Sequence, residues 1–116
     1  MAADESIRMP YLPVQERPAK NLAARLEGTL SLDDATNCIV VLKADRLIEV
    51  AWPPGCSVVA RDGSFAVLDP DGRTVAELGS TVVLGGGYVP PAAAHITSRT
   101  GSARVFAVGG SWGLLT

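Results

Sequence analysis

The chain has 116 residues, of which 47% are hydrophobic, and a formal net charge of −2. This length and apolar content predict one domain with its own core and exclude a disordered chain. The acidic balance disfavours a general affinity for nucleic acid, and no apolar run approaches the roughly 20 residues that span a bilayer.

Residues 1–21 form a segment that differs from the rest of the chain. Its first residues are polar and do not resemble a signal peptide, so a cytoplasmic location is favoured. The alternative is a secreted mature form from which a leader was removed. Three prolines interrupt both helix and strand, so we predict a flexible Pro-rich arm with Tyr11 and Leu12 packed on the body of the protein. Deleting residues 1–20 should therefore leave a folded domain.

The next region alternates apolar and polar residues with a period of two, which predicts strands. Leu26 to Leu32 shows this alternation first, and a turn follows it. Two β-rich runs then flank Ala44-Asp45 and predict a hairpin that pairs Val41 with Ile48 and Ile39 with Val50. The hairpin is apolar on both faces, so we expect both faces to be covered.

The second half of the chain contains strong turn signals. Asp62-Gly63 joins residues 57–61 to 64–68, and Asp69 to Gly72 makes the next turn. We expect Gly85 to Gly87 to interrupt a further strand, residues 88–101 to form a long loop, and residues 103–108 to be the last strand. The expected core is Ile39, Val41, Ile48, Val50, Val82 and Phe106.

These elements predict an all-β fold, either a small antiparallel barrel or a curved sheet, with an inserted β-hairpin. Their order resembles an OB-fold, and residues 78–87 resemble its glycine-flanked fourth strand. The chain is also similar to small uncharacterised actinobacterial proteins that share Trp-Pro-Pro-Gly, D-x-D-G and Val-Leu-Gly-Gly-Gly-Tyr-Val-Pro segments, here at 52–55, 69–72 and 83–90. The resemblance implies an OB-like domain over residues 22–110, followed by a flexible tail at 111–116.

No motif predicts catalysis, a cofactor or a metal. Residues 109–113 match the G-x-S-x-G pattern of serine hydrolases, but only three residues follow and the sole histidine, His95, precedes Ser111. The three consecutive glycines lack the helix that a phosphate-binding loop needs. Cys38 and Cys56 are either two small core residues or a disulfide, depending on the redox compartment. We expect a protein that is not an enzyme.

The predicted function is a non-enzymatic binding or protein-interaction module of unknown ligand. Val40, Leu42 and Leu47 should point outward from the hairpin and, with Tyr88, form the interaction surface. The arm, another protein or a second copy of the chain would cover it, and a two-fold homodimer is the commonest form of self-association. The alternative is a single-stranded nucleic-acid-binding OB domain, using a basic and aromatic face. That face would comprise Trp52, Tyr88, Arg99, Arg104 and Phe106.

Overall fold

The computed structural model describes residues 9–17 and 23–109 of the chain. The regular secondary structure of this part of the chain is almost entirely β-strand, as the sequence predicts. Its strands are β1 (Ala24–Asp33), β2 (Cys38–Lys43), β3 (Arg46–Ala51), β4 (Ser57–Arg61), β5 (Ser64–Leu68), β6 (Thr74–Glu77), β7 (Thr81–Val89) and β8 (Val105–Val108). A single turn of 3-10 helix, Pro91–Ala94, lies between β7 and β8. The described residues contain no helix long and apolar enough to cross a membrane.

Five of the strands close a barrel in the order β1-β2-β3-β8-β7. The neighbours pair antiparallel except for β3 and β8, which are parallel and are paired at Val50↔Phe106 and Ala51↔Ala107. The predicted hairpin is confirmed, with Val41 opposite Ile48. Alternation along the strands then directs the six predicted core residues into one cluster with Trp52 at the centre of the barrel.

The insertion between β3 and β7 is a three-stranded sheet in the order β4-β5-β6. The Asp62-Gly63 turn has positive φ angles at both residues, as a type I′ hairpin turn requires. Gly72, at φ +84°, ends the next turn, where the Asp69 carboxylate accepts the N–H groups of Asp71 and Arg73. That turn adds β6, so the predicted hairpin is extended to three strands. Val67 and Val75 join the main core from this sheet.

The three consecutive glycines do not interrupt a strand, so that prediction is wrong. β7 runs unbroken from Thr81 to Val89, and Tyr88 belongs to the strand rather than to a loop. A Cβ atom at Gly86 would overlap the carbonyl oxygen of Ala107 on β8. The glycine therefore allows β7 and β8 to approach closely at this point, where any side chain would push them apart.

Residues 9–17 lie along one end of the barrel. Tyr11 forms a parallel bridge with Cys38, and Val14 forms another with Trp52. The buried Gln15 side chain donates from Nε2 to the carbonyl oxygens of Ala51 and Val108, at 2.9 Å each. Gln15 therefore joins β3 to β8 at the parallel pair. The predicted tail, residues 111–116, and the rest of the predicted arm, residues 1–8 and 18–21, lie outside the described residues.

Candidate functional site

The outward face of the β2–β3 hairpin has a covered part and an open part. Residues 90–104, which we call the covering loop, lie over one half of it. Ala51 packs on Ala94 and Ile96 of this loop, and the carboxylate of Glu49 binds its Ser98 to Thr100 stretch. Val40 lies opposite Glu49 and is only 1% exposed. Val40 points away from the barrel core as predicted, but its inclusion in an accessible interaction surface is wrong, because the chain itself covers it.

Glu49 is the most densely hydrogen-bonded side chain of the described residues. Its Oε1 accepts the hydroxyls of Ser98 and Thr100 at 2.7 Å each, and its Oε2 accepts the Arg99 N–H at 2.9 Å. Burial favours the neutral acid, but the backbone and hydroxyl donors outweigh it and lower the pKa of Glu49. Glu49 is therefore a buried carboxylate that holds the covering loop on the barrel. A single acid within the apolar run of β3 is the sequence signal for this role.

The open part of the same face carries the exposed leucines. Leu42 and Leu47 lie directly opposite each other on β2 and β3 and are 40% and 37% exposed. Leu42 also borders a shallow hollow beside Gly28 on β1. The predicted four-residue surface is thus divided, with Val40 buried, Leu42 at this hollow, and Leu47 and Tyr88 at a separate groove.

That groove is an open cleft of about 820 Å³ between the start of β3 and residues 102–104. Leu47, Ile48 and Tyr88 supply its apolar surface. The ring of Tyr88 lies edge-on to Phe106 of the core, with centroids 5.1 Å apart, and keeps 40% of its surface exposed. Phe106 therefore holds the Tyr88 ring on its core side, and the exposed part of the ring remains accessible to a ligand.

Three cationic side chains surround the groove. Lys43 and Arg46 flank the β2–β3 turn, and Arg104 precedes β8 on the other side. Among the described residues Arg25 is paired with Glu27, and the carboxylate of Glu16 lies 3.9 Å from Nδ1 of His95, so none of these three cations is paired with a described carboxylate. The chain is acidic overall, yet this site is locally positive. Lys43 and Arg46 are not among the predicted site residues, although two cations that flank a hairpin turn are a signal visible in the sequence.

The predicted basic and aromatic face is not assembled. Trp52 and Phe106 are fully buried in the core, and the guanidinium of Arg99 lies 4.0 Å from the centre of the Tyr11 ring at the opposite end of β2. Only Tyr88 and Arg104 come together, in the groove described above. Trp52 directly follows β3 and Phe106 lies on β8, and the period-two alternation of the two strands directs both side chains into the core.

The described residues contain no group of three or more His, Cys, Asp or Glu side chains that could hold a metal ion. Both cysteines are free and buried, and burial raises the pKa of each thiol to about 12. They therefore remain protonated at neutral pH and are poor nucleophiles. The Ser111 motif lies outside the described residues.

Comparisons with protein-family models, with curated proteins and with solved structures gave no match. The geometry of the groove is therefore what supports the candidate site.

Proposed function

We propose that this protein is a non-enzymatic binding module whose ligand occupies the groove between β3 and residues 102–104. The observation that carries the proposal is the cluster of three cations, unpaired among the described residues, around an apolar cleft. Apolar surface with a few convergent charged groups is the usual composition of a ligand site. The ligand that fits is an anion that also presents apolar groups, because Leu47 and Tyr88 have exposed surface to cover.

The strand order supports this proposal. A five-stranded barrel closed by a parallel pair between its third and last strands is the arrangement that we propose to be OB-like. OB barrels bind ligands on the face of strands 2 and 3 and on the loops that join strands 1 and 2 and strands 4 and 5. The groove here lies beside the second and third strands and is bordered by the covering loop, which joins the fourth and fifth barrel strands. The inserted sheet occupies the position where many OB-folds have a helix.

A charge-reversal experiment tests the groove. Fluorescence anisotropy would follow two labelled anionic probes, the peptide (Glu-Val)₄ and the oligonucleotide dT12. We expect at least one probe to bind, and the double variant Arg46→Glu/Arg104→Glu to weaken its binding by about tenfold or more, because both charges face the groove. The matched control, Arg61→Glu/Arg73→Glu, makes the same charge change on the inserted sheet. The proposal fails if neither probe binds or if both double variants weaken binding equally.

A single-stranded nucleic acid is the second candidate ligand. The observation that favours it is the exposed Tyr88 ring beside three cations, because a base stacked on an aromatic side chain is stabilised by about 1–3 kcal/mol. Binding of dT12 that falls steeply with salt and is weakened by Tyr88→Ala would support this candidate. Binding of dT12 that is unaffected by Tyr88→Ala would count against it.

A further inference from the structure

The wall of the groove includes a stretch of β3 that, among the described residues, has a strand on only one side. β3 begins at Arg46, but its pairing with β8 begins only at Val50. β8 itself begins at Val105, and the residues before it, 102–104, form the far side of the groove. The first half of β3 therefore pairs with β2 and faces the groove with its other edge.

The register of the hairpin shows which backbone groups point toward that edge. Lys43 and Arg46 close the two-residue turn as a hydrogen-bonded pair, so the next pair, Leu42 and Leu47, does not exchange hydrogen bonds. The N–H and C=O of Leu47 therefore point away from β2. Gln15 confirms this direction, because it bridges Ala51, four residues further along β3, to Val108 of β8. Leu47 and Ala51 are an even number apart, so their backbone groups face the same side.

Taking the groove proposed above as the binding site, we infer that its ligand is an extended acidic peptide that pairs as an added strand with the edge of β3 at Leu47. An added strand supplies the N–H and C=O groups that Leu47 can bind, and side chains placed on alternate faces. Carboxylates on one face of the peptide match Lys43, Arg46 and Arg104, and apolar residues on its other face match Leu47.

A peptide fits the groove better than a nucleic acid does. Proteins that bind single strands place successive bases on several aromatic side chains, whereas Tyr88 is the one aromatic residue among the described residues that line this groove. A nucleic acid also lacks the regular alternation of N–H and C=O groups that pairs with a strand edge. The acidic peptide therefore uses both the charges and the backbone edge, and the oligonucleotide uses only the charges.

Backbone methylation of the probe peptide tests the strand pairing. Two forms of labelled (Glu-Val)₄ would be N-methylated, one at the Glu residues and the other at the Val residues, so that each form loses the N–H groups of one edge. We expect one form to bind about tenfold more weakly than the parent peptide and the other to bind almost as well, because only one edge meets Leu47. A (Lys-Val)₄ peptide of the opposite charge should not bind.

A proline at Leu47 tests the same contact from the side of the protein. Leu47→Pro removes the N–H that faces the groove and leaves the hydrogen bonds of Arg46 and Ile48 to β2 in place. We expect about tenfold weaker binding of (Glu-Val)₄, whereas Leu47→Ala, which keeps the N–H, should weaken binding less than threefold. A cooperative melt of each variant shows that it is folded, and if Leu47→Pro does not fold, the methylated peptides alone decide.

The outcomes separate this inference from the proposed function. If both methylated peptides bind as tightly as the parent, strand pairing is wrong although the groove remains the site. If dT12 binds in the groove and (Glu-Val)₄ does not, the peptide is the wrong ligand class and the binding module stands. If neither probe binds, both proposals are wrong.

Discussion

The two ends of β3 differ in how completely the rest of the chain encloses them. At the Ala51 end, Gln15 bridges β3 to β8, residues 9–17 lie across the barrel, and the covering loop packs on the outer face. At the Arg46 end, β8 has not yet begun, and the exposed Leu47 lies beside the cations that line the groove. The same six-residue strand is thus structural at one end and accessible at the other.

This difference shows that an apolar pattern on both faces of a hairpin does not by itself define a binding surface. Val40 and Leu42 are two residues apart on the same face of β2, yet Val40 is 1% exposed and Leu42 is 40% exposed. The covering loop, about 50 residues further along the chain, lies over one and not the other. Accessibility on this face is therefore decided by how far the loop extends, and Glu49 holds the loop in place.

The largest effect on stability should come from removing the carboxylate that holds the covering loop. Glu49→Ala leaves the hydroxyls of Ser98 and Thr100 and the N–H of Arg99 without their acceptor, so we expect a loss of about 3 kcal/mol in the free energy of unfolding. Urea denaturation measures it. The matched control is Glu27→Ala, an exposed acid on β1, which should cost less than about 1 kcal/mol. Equal losses in the two variants would show that Glu49 does not hold the loop.

The bridge at the enclosed end of β3 should have the next largest effect. Gln15→Leu removes both donors from the buried carbonyl oxygens of Ala51 and Val108, at a cost of about 2 kcal/mol. Deletion of residues 1–20 loses the same bonds and the bridges of Tyr11 and Val14, so we expect the shortened chain to fold but to melt at a lower temperature. A shortened chain with no cooperative transition would show that this segment is part of the fold.

The pH dependence of stability gives a smaller effect that isolates the charge of Glu49. Its pKa is lowered in the folded state, so the stabilisation is complete above the pKa of the unfolded chain and is lost as the pH falls through the folded value. The difference in unfolding free energy between the wild type and Glu49→Gln should be constant above about pH 6 and shrink from about pH 5 downward. A difference that stays constant down to pH 3 would contradict a charged Glu49.

The smallest effect is expected at the open end of the face. Because Val40 is covered, the apolar patch on this face consists of Leu42 and Leu47. The exposed area of these two side chains is far smaller than the area that a stable dimer buries. We therefore expect light scattering to give the mass of a monomer at about 10 µM for both the wild type and Leu42→Asp. A dimer that dissociates in Leu42→Asp would contradict this expectation and show that self-association covers Leu42.

Much of the fold could be predicted from local sequence, because local chemistry determines it. Asp62-Gly63 specifies its own turn, and the alternation of Val41 and Ile48 fixes the face and register of the β2–β3 hairpin. The three glycines were misread because a strand break and a close approach between strands require the same residue. Only the position of Ala107 across the barrel distinguishes the two.

The candidate site was less predictable, because its parts come from distant segments. Lys43 and Arg46 meet Arg104 only after β3 and β8 pair, and the unpaired edge at Leu47 depends on where β8 begins. The role of Gln15 depends on two carbonyl oxygens that are 36 and 93 residues away. No periodicity in the sequence carries that information.

The bridge made by Gln15 also constrains the order of events during synthesis of the chain. The β2–β3 and β4–β5 hairpins join neighbouring segments and form within about 1–10 µs. The barrel, in contrast, closes only after Val108 has left the ribosome, because β8 must insert between β3 and β7 before Gln15 can bond to it. Until then, the apolar inner face of the β2–β3 hairpin is exposed, so premature release of the chain before β8 would yield an open, aggregation-prone sheet.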